Sequence, residues 1–119
     1  MKKNAVLYKI GEKVFECPVG LATNVINGKW KLQILNLLSQ GACMRYGDLK
    51  RGIEDVSEKM LIQHLRELEG DGLIMRRAYG EVPPKVEYSL TEIGKGIIPV
   101  IDELRKWGLG FKVTREAML

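Results

Sequence analysis

The sequence predicts a single α+β domain, mainly helical, with one small antiparallel β-hairpin between its fourth and last helices. Three observations carry that expectation. Apolar residues recur at helical spacing in five stretches. Two short strand-like runs, 73–79 and 85–90, flank Gly80-Glu81-Val82-Pro83-Pro84, a turn that can continue neither ladder. And 119 residues, 45% hydrophobic and 29% charged, suit one soluble globular domain with a modest core.

The elements follow in order. Residues 1–16 read as an N-terminal arm or hairpin turning near Gly11-Glu12. Cys17-Pro18 opens a first helix, because proline suits a first helical position where its missing N–H is no loss. Val19, Leu21, Val25 and Ile26 form its stripe, and Asn27-Gly28 breaks it. A second helix starts near Lys29, carries Trp30, Ile34, Leu35, Leu37 and Leu38, and ends at Ser39-Gln40-Gly41. A short third spans about 45–53. Ser57 caps a fourth, with Glu58 favourably placed in its first turn, and Gly70-Asp71-Gly72 closes it. After the hairpin, Thr91 caps a long last helix that Pro99 should kink or split. Three compact helices, a fourth joined by a short turn, then a hairpin: this is the winged helix-turn-helix order, with the last helix left for dimerisation. The boundaries expected are 1–16 for the arm, 17–111 for the domain and 112–119 for a C-terminal tail.

Charge narrows the function classes. The net charge is +4, with +2 from residues 1–16 and +2 from Lys29 and Lys31; residues 45–85 and 86–119 each sum to zero. A nucleic-acid signal must therefore lie in which face the charges occupy. No apolar run approaches the roughly 18–20 residues that span a bilayer, and Lys2-Lys3 lead into no signal-peptide pattern, so a cytoplasmic location is expected. Cys17 and Cys43 form no CxxC pair, which argues against a zinc site of usual spacing and against a disulfide scaffold. The lone histidine, His64, has no clustered partners, so neither metal nor cofactor nor a hydrolytic triad is expected, and the chain does not read as an enzyme.

The fourth helix reads as a DNA reader. On a wheel, Leu61, Leu65 and Leu68 fall together with His64 beside them, while Lys59, Gln63 and Arg66 share the opposite face. Those three are donors suited to base edges and phosphates in a major groove. Ser57 sits at its start, where the helix dipole favours phosphate. Arg76, Arg77 and Lys85 make the hairpin basic, which suits backbone gripping. An ordinary solvated face and an exposed hairpin remain the plain alternative.

Chained motifs then resemble one family. Cys17-Pro18, Gly28-Lys29-Trp30, Ile34-Leu35, Gly41, Arg45-Tyr46, Asp48-Leu49, Ser57 to Leu61, Leu65 to Glu69, Asp71-Gly72-Leu73, Val82 to Thr91, Gly94, Pro99-Val100 and Trp107 resemble HxlR-type winged helix-turn-helix regulators, which are MarR-like. The resemblance covers roughly 17–108. It implies a dimeric transcription factor on a palindromic double-stranded operator, in some members sensing oxidants or electrophiles through a cysteine at the position of Cys17. Next to a helix N-terminus, Cys17 reads either as a reactive switch or as a small buried thiol. Cys43 lies outside the family pattern.

The last helix has apolar residues at 93, 97, 98, 100, 101, 104, 107, 109 and 111, wider than one core-facing stripe. Ile97, Ile101, Leu104 and Trp107 are the expected dimer contacts, and a two-fold dimer would set its reading helices about 34 Å apart, one DNA turn. The competing reading is a winged-helix protein-interaction module without DNA binding, supported by the neutral stretch 45–85.

Overall fold

A computed structural model describes residues 7–41 and 43–118. Ala5 and Val6 of the expected hairpin, the Lys2-Lys3 pair and the last tail residue, Leu119, lie outside the described residues. The order is β1 (Tyr8–Ile10), β2 (Lys13–Phe15), α1 (Pro18–Val25), α2 (Lys31–Gln40), β3 (Met44–Arg45), α3 (Tyr46–Gly52), α4 (Glu58–Gly70), β4 (Ile74–Tyr79), β5 (Lys85–Leu90), α5 (Glu92–Lys95) and α6 (Ile98–Met118). This is the winged helix-turn-helix arrangement, with α3 and α4 as the helix pair and β4–β5 as the wing. β1 and β2 pair antiparallel across Gly11, whose φ of +59° is a left-handed turn conformation that glycine takes without a Cβ penalty.

Four boundaries differ from expectation, each for a local reason. α2 starts at Lys31 rather than Lys29, because Gly28 has φ +150° and Trp30 serves as N-cap. β3 was not expected: two residues show no periodicity, yet Met44 and Arg45 pair with Tyr88 and Glu87, so the sheet runs β3-β5-β4. The last helix is split into two segments, as expected, but the break falls at Gly96-Ile97 and leaves Pro99 in the first turn of α6, where it displaces no helical hydrogen bond. And 112–118 are no tail: α6 continues through Met118, with Lys112 reaching Glu116 one turn on.

The core joins Ile34, Leu35 and Leu38 of α2, Leu49 of α3 and Ile53 just beyond it, and Leu61, Leu65 and Leu68 of α4 to Ile74, Leu90 and Ile101. The turn after α4 is clipped to the last helices. Thr91 N–H donates to Leu73 O at 3.1 Å, Thr91 Oγ1–H donates to Gly72 O at 2.6 Å, and Gly94 N–H donates to Thr91 Oγ1 at 3.0 Å. A Cβ at Gly94 would overlap the Leu73 carbonyl, so only glycine lets α5 lie this close. The clip fixes how the wing leaves α4.

Candidate nucleic-acid interface

α4 is built as its sequence requires. Ser57 Oγ accepts from Met60 N–H at 3.1 Å, capping the first turn. Its hydroxyl proton stays available to a phosphate. Leu61, His64, Leu65 and Leu68 are buried, and Lys59, Gln63 and Arg66 are exposed on the other side with Ile62 between them. Lys59, Ile62, Gln63 and Arg66 line one shallow groove along this face.

The wing divides its basic residues. Arg76 pairs with Tyr88 across β4–β5, and Arg77 with Glu87. Side chains alternate along a strand, so the two arginines stand on opposite faces. Arg76, Val86 and Tyr88 turn toward α4 and, with Tyr46, Ile62 and Arg66 and the carboxylates Glu58 and Glu69, line a cleft of about 530 Å³. Arg77 and Lys85 lie on the other face, where both cations stand over the Tyr79 ring, 5.3 and 5.0 Å from its centroid. Lys85 Nζ also ion-pairs with Glu87 Oε1 at 2.9 Å. That hydrogen bond and charge hold the Lys85 ammonium above its ordinary range and the Glu87 carboxyl below its own. The expected grip of Arg76, Arg77 and Lys85 is thus two groups: Arg76 beside the reading helix, and Arg77 with Lys85 behind the wing, partly neutralised by Glu87.

Arg45 was overlooked as a candidate. It stands opposite Glu87 on β3 and is exposed, so it joins the Arg77–Lys85 face. The only sequence signal for it would have been recognition of β3, which two residues do not provide.

Both cysteines are exposed. Cys17 is the N-cap of α1, and Leu21 N–H donates to its carbonyl at 3.0 Å; the buried-thiol expectation for it does not hold. A side-chain hydrogen bond with Glu87 is the main reason the Cys43 thiol is pushed up from its ordinary value. His64 is buried as expected. Its Nδ1 lies 3.5 Å from Glu67 Oε1, within electrostatic reach but without a hydrogen bond.

The expected dimer contacts also separate. Ile101 is 6% exposed and belongs to the domain's own core, and Ile97 packs against that core. The cause is that α6 begins by crossing α2, tied there by Arg105 Nη2–H donating to Asn36 Oδ1 at 2.7 Å. Leu104 and Trp107 stay exposed, and so do Leu109, Phe111 and Val113 further along. Trp107 and Phe111 stack with ring centroids 5.4 Å apart. Among the described residues no group of three or more metal-binding side chains occurs, and no helix is long and apolar enough to cross a membrane.

Comparison with known proteins agrees with this geometry. The model of the HxlR-like helix-turn-helix family matches residues 25–116. The HTH-type transcriptional regulator YkvN of Bacillus subtilis strain 168 is 49% identical over 104 residues, covering 87% of this chain and 86% of YkvN. Among solved structures, a MarR-family transcriptional regulator from Porphyromonas gingivalis W83 superposes with a TM-score of 0.74 at 47% identity, covering 86% of this chain and 97% of that one. The redox regulator HypR in its reduced form superposes with a TM-score of 0.79 at 38% identity, covering 85% and 99%. The chain belongs to the HxlR-like helix-turn-helix family and is a transcriptional regulator of the winged helix-turn-helix type, not an enzyme.

Proposed function

We propose that the chain binds a palindromic operator as a homodimer, with α4 in the major groove, and that Cys17 makes this binding responsive to oxidants or electrophiles. The observation that carries the DNA reading is the cleft where Arg66 of α4 and Arg76 of the wing converge. One cation reaches from the helix and one from the sheet, so a backbone strand passing between them meets both. Lys59 and Gln63 extend the helix face toward base edges, and Ser57 offers a donor at its N-terminus. The exposed Leu104 and Trp107 supply the apolar surface for a second copy. The redox reading rests on the exposure of Cys17 at a helix N-terminus and on likeness to a protein described as a redox regulator.

Fluorescence-anisotropy titration tests all three parts, using the DNA upstream of the chain's own gene against a scrambled duplex, with and without diamide. The reading expects selective binding at a stoichiometry of two chains per site, and loss of binding on oxidation in the parent protein but not in Cys17→Ser. Equal weak binding to both duplexes sinks the operator assignment for that DNA. Diamide sensitivity that survives in Cys17→Ser removes the switch.

A further inference from the structure

On the side of α4 that faces α1 and the N-terminal hairpin lies a second cleft, of about 720 Å³. Its wall-forming side chains are polar: Glu12 in the hairpin turn, Lys13 of β2, Asn24 of α1, Asn27 just beyond it, Lys31 of α2, and Glu67 and Asp71 at the end of α4. Lys31 is the unusual member. Its side chain is 4% exposed, and Nζ pairs with Glu67 Oε2 at 3.2 Å, while Glu67 itself is 44% exposed and open to the cleft. We infer that this cleft binds a small zwitterion of the amino-acid type, which inserts between Lys31 and Glu67.

The sign of the charges selects the ligand. A simple anion taken up by Lys31 would displace Glu67 and leave that carboxylate without its cation. A simple cation taken up by Glu67 would strand a buried ammonium, the more unfavourable outcome. A molecule carrying both signs a few bonds apart replaces each partner of the pair at once: its carboxylate meets Lys31 and its ammonium meets Glu67. Lys13 adds a second cation to the lining, and Glu12 and Asp71 add carboxylates, so the cleft carries both signs. The Asn24 and Asn27 amides offer donors and acceptors to both headgroups. The volume lies within the range of ordinary ligand sites and leaves room for bound water. One wall comes from the hairpin, which lies outside the family match at 25–116. The site is therefore built partly from sequence that the family pattern does not contain.

The sole histidine reports on occupancy, because the buried His64 ring sits against Glu67 and its two nitrogens have no hydrogen-bond partner among the described residues. Glu67 also follows Arg66 on α4, so occupancy would alter how the reading face is presented. That consequence alone rests on the proposed DNA reading. The binding assays below contain no DNA, so the failure of one is distinguishable from the failure of the other.

The test titrates the full chain with each standard amino acid whose side chain is uncharged, at millimolar concentration. Each is compared with its carboxamide (cation only) and its N-acetyl derivative (anion only), following Tm and the His64 ring resonances. At least one free amino acid is expected to raise Tm by about 4 °C or more and to shift the ring signals, with neither derivative doing so. Asn27→Ala, at an exposed position, should keep the ligand-free Tm and bind about tenfold more weakly, the loss of one good hydrogen bond. Lys13→Ala serves as the second variant with the same expectation. The proposal is overturned if no free amino acid moves either signal, if a singly charged derivative acts as strongly, or if both variants bind as the parent does.

Discussion

Arg76 and Arg77 are adjacent in sequence and do different work, because strand alternation sends one toward α4 and the other to the far face of the wing. Arg66→Ala should weaken specific DNA binding by about 1–3 kcal/mol, and Arg76→Ala should lower the salt slope by about one. Arg77→Ala should do less than Arg76→Ala, since its guanidinium already stands over Tyr79 on the far face. Parallel titrations at several salt concentrations give the ranking, and equal effects of the two alanines would remove the division. The cysteines differ in the same local way. Glu87 raises the Cys43 thiol above its ordinary value, chiefly through a side-chain hydrogen bond, so Glu87→Gln should raise the thiolate fraction and speed Cys43 alkylation by iodoacetamide in a Cys17→Ser background. An unchanged rate would mean that this hydrogen bond does not control the thiol.

At the scale of elements, two devices hold α4 in place. The first is the clip of Thr91 and Gly94 onto Gly72 and Leu73. Gly94→Ala puts a methyl group into the Leu73 carbonyl, and the strain should cost about 1–3 kcal/mol, read as a lower denaturation midpoint at unchanged m-value. The second is the Lys31–Glu67 pair joining α2 to α4. Burial raises the Glu67 carboxyl. The hydrogen bond and charge of Lys31, with help from Gln63 and His64, more than reverse that, so it titrates below the ordinary range. A depressed folded-state pKa stabilises the fold above the unfolded value of about 4.3, and that contribution drains away as pH falls through the folded value. Urea melts between pH 3 and pH 6 (roughly the window around that value) should therefore show a decline toward acid that is smaller in Glu67→Gln. Equal acid slopes would assign the decline to other carboxylates.

The molecule as a whole is extended. Its radius of gyration is 17.0 Å, against about 13.5 Å for a compact domain of this length. The excess comes from α6, a helix of 21 residues in which Ile101 alone is buried. Its polar side is laced with Arg105–Asp102, Lys106–Glu103 and Lys112–Glu116 pairs, while Leu104, Trp107, Leu109, Phe111 and Val113 stay exposed. A helix that leaves its own domain with apolar side chains uncovered calls for a partner chain. Sedimentation of the parent protein should give a dimer at micromolar concentration, and Trp107→Glu should shift it toward monomer with the monomer fold intact. A dimer unaffected by that change would place the interface elsewhere.

The sequence by itself determined the order of the helices, the wing, the caps at Ser57 and Thr91, and the exposed face of α4. These depend on short-range rules: apolar periodicity, cap chemistry and turn residues separated by a few positions. It also carried the family resemblance, which the match over 25–116 agrees with. Only the tertiary structure decided which charges meet. Through β4–β5 register Arg76 came to share a cleft with Arg66, and Arg77 to share the Tyr79 ring with Lys85; Arg45 came opposite Glu87 through a strand too short to leave a pattern, and Lys31 found Glu67 across 36 positions. Ile101 looked like interface and became core because α6 crosses α2 before it leaves the domain. Periodicity says which residues share a face; what that face packs against is set by the path of the whole chain.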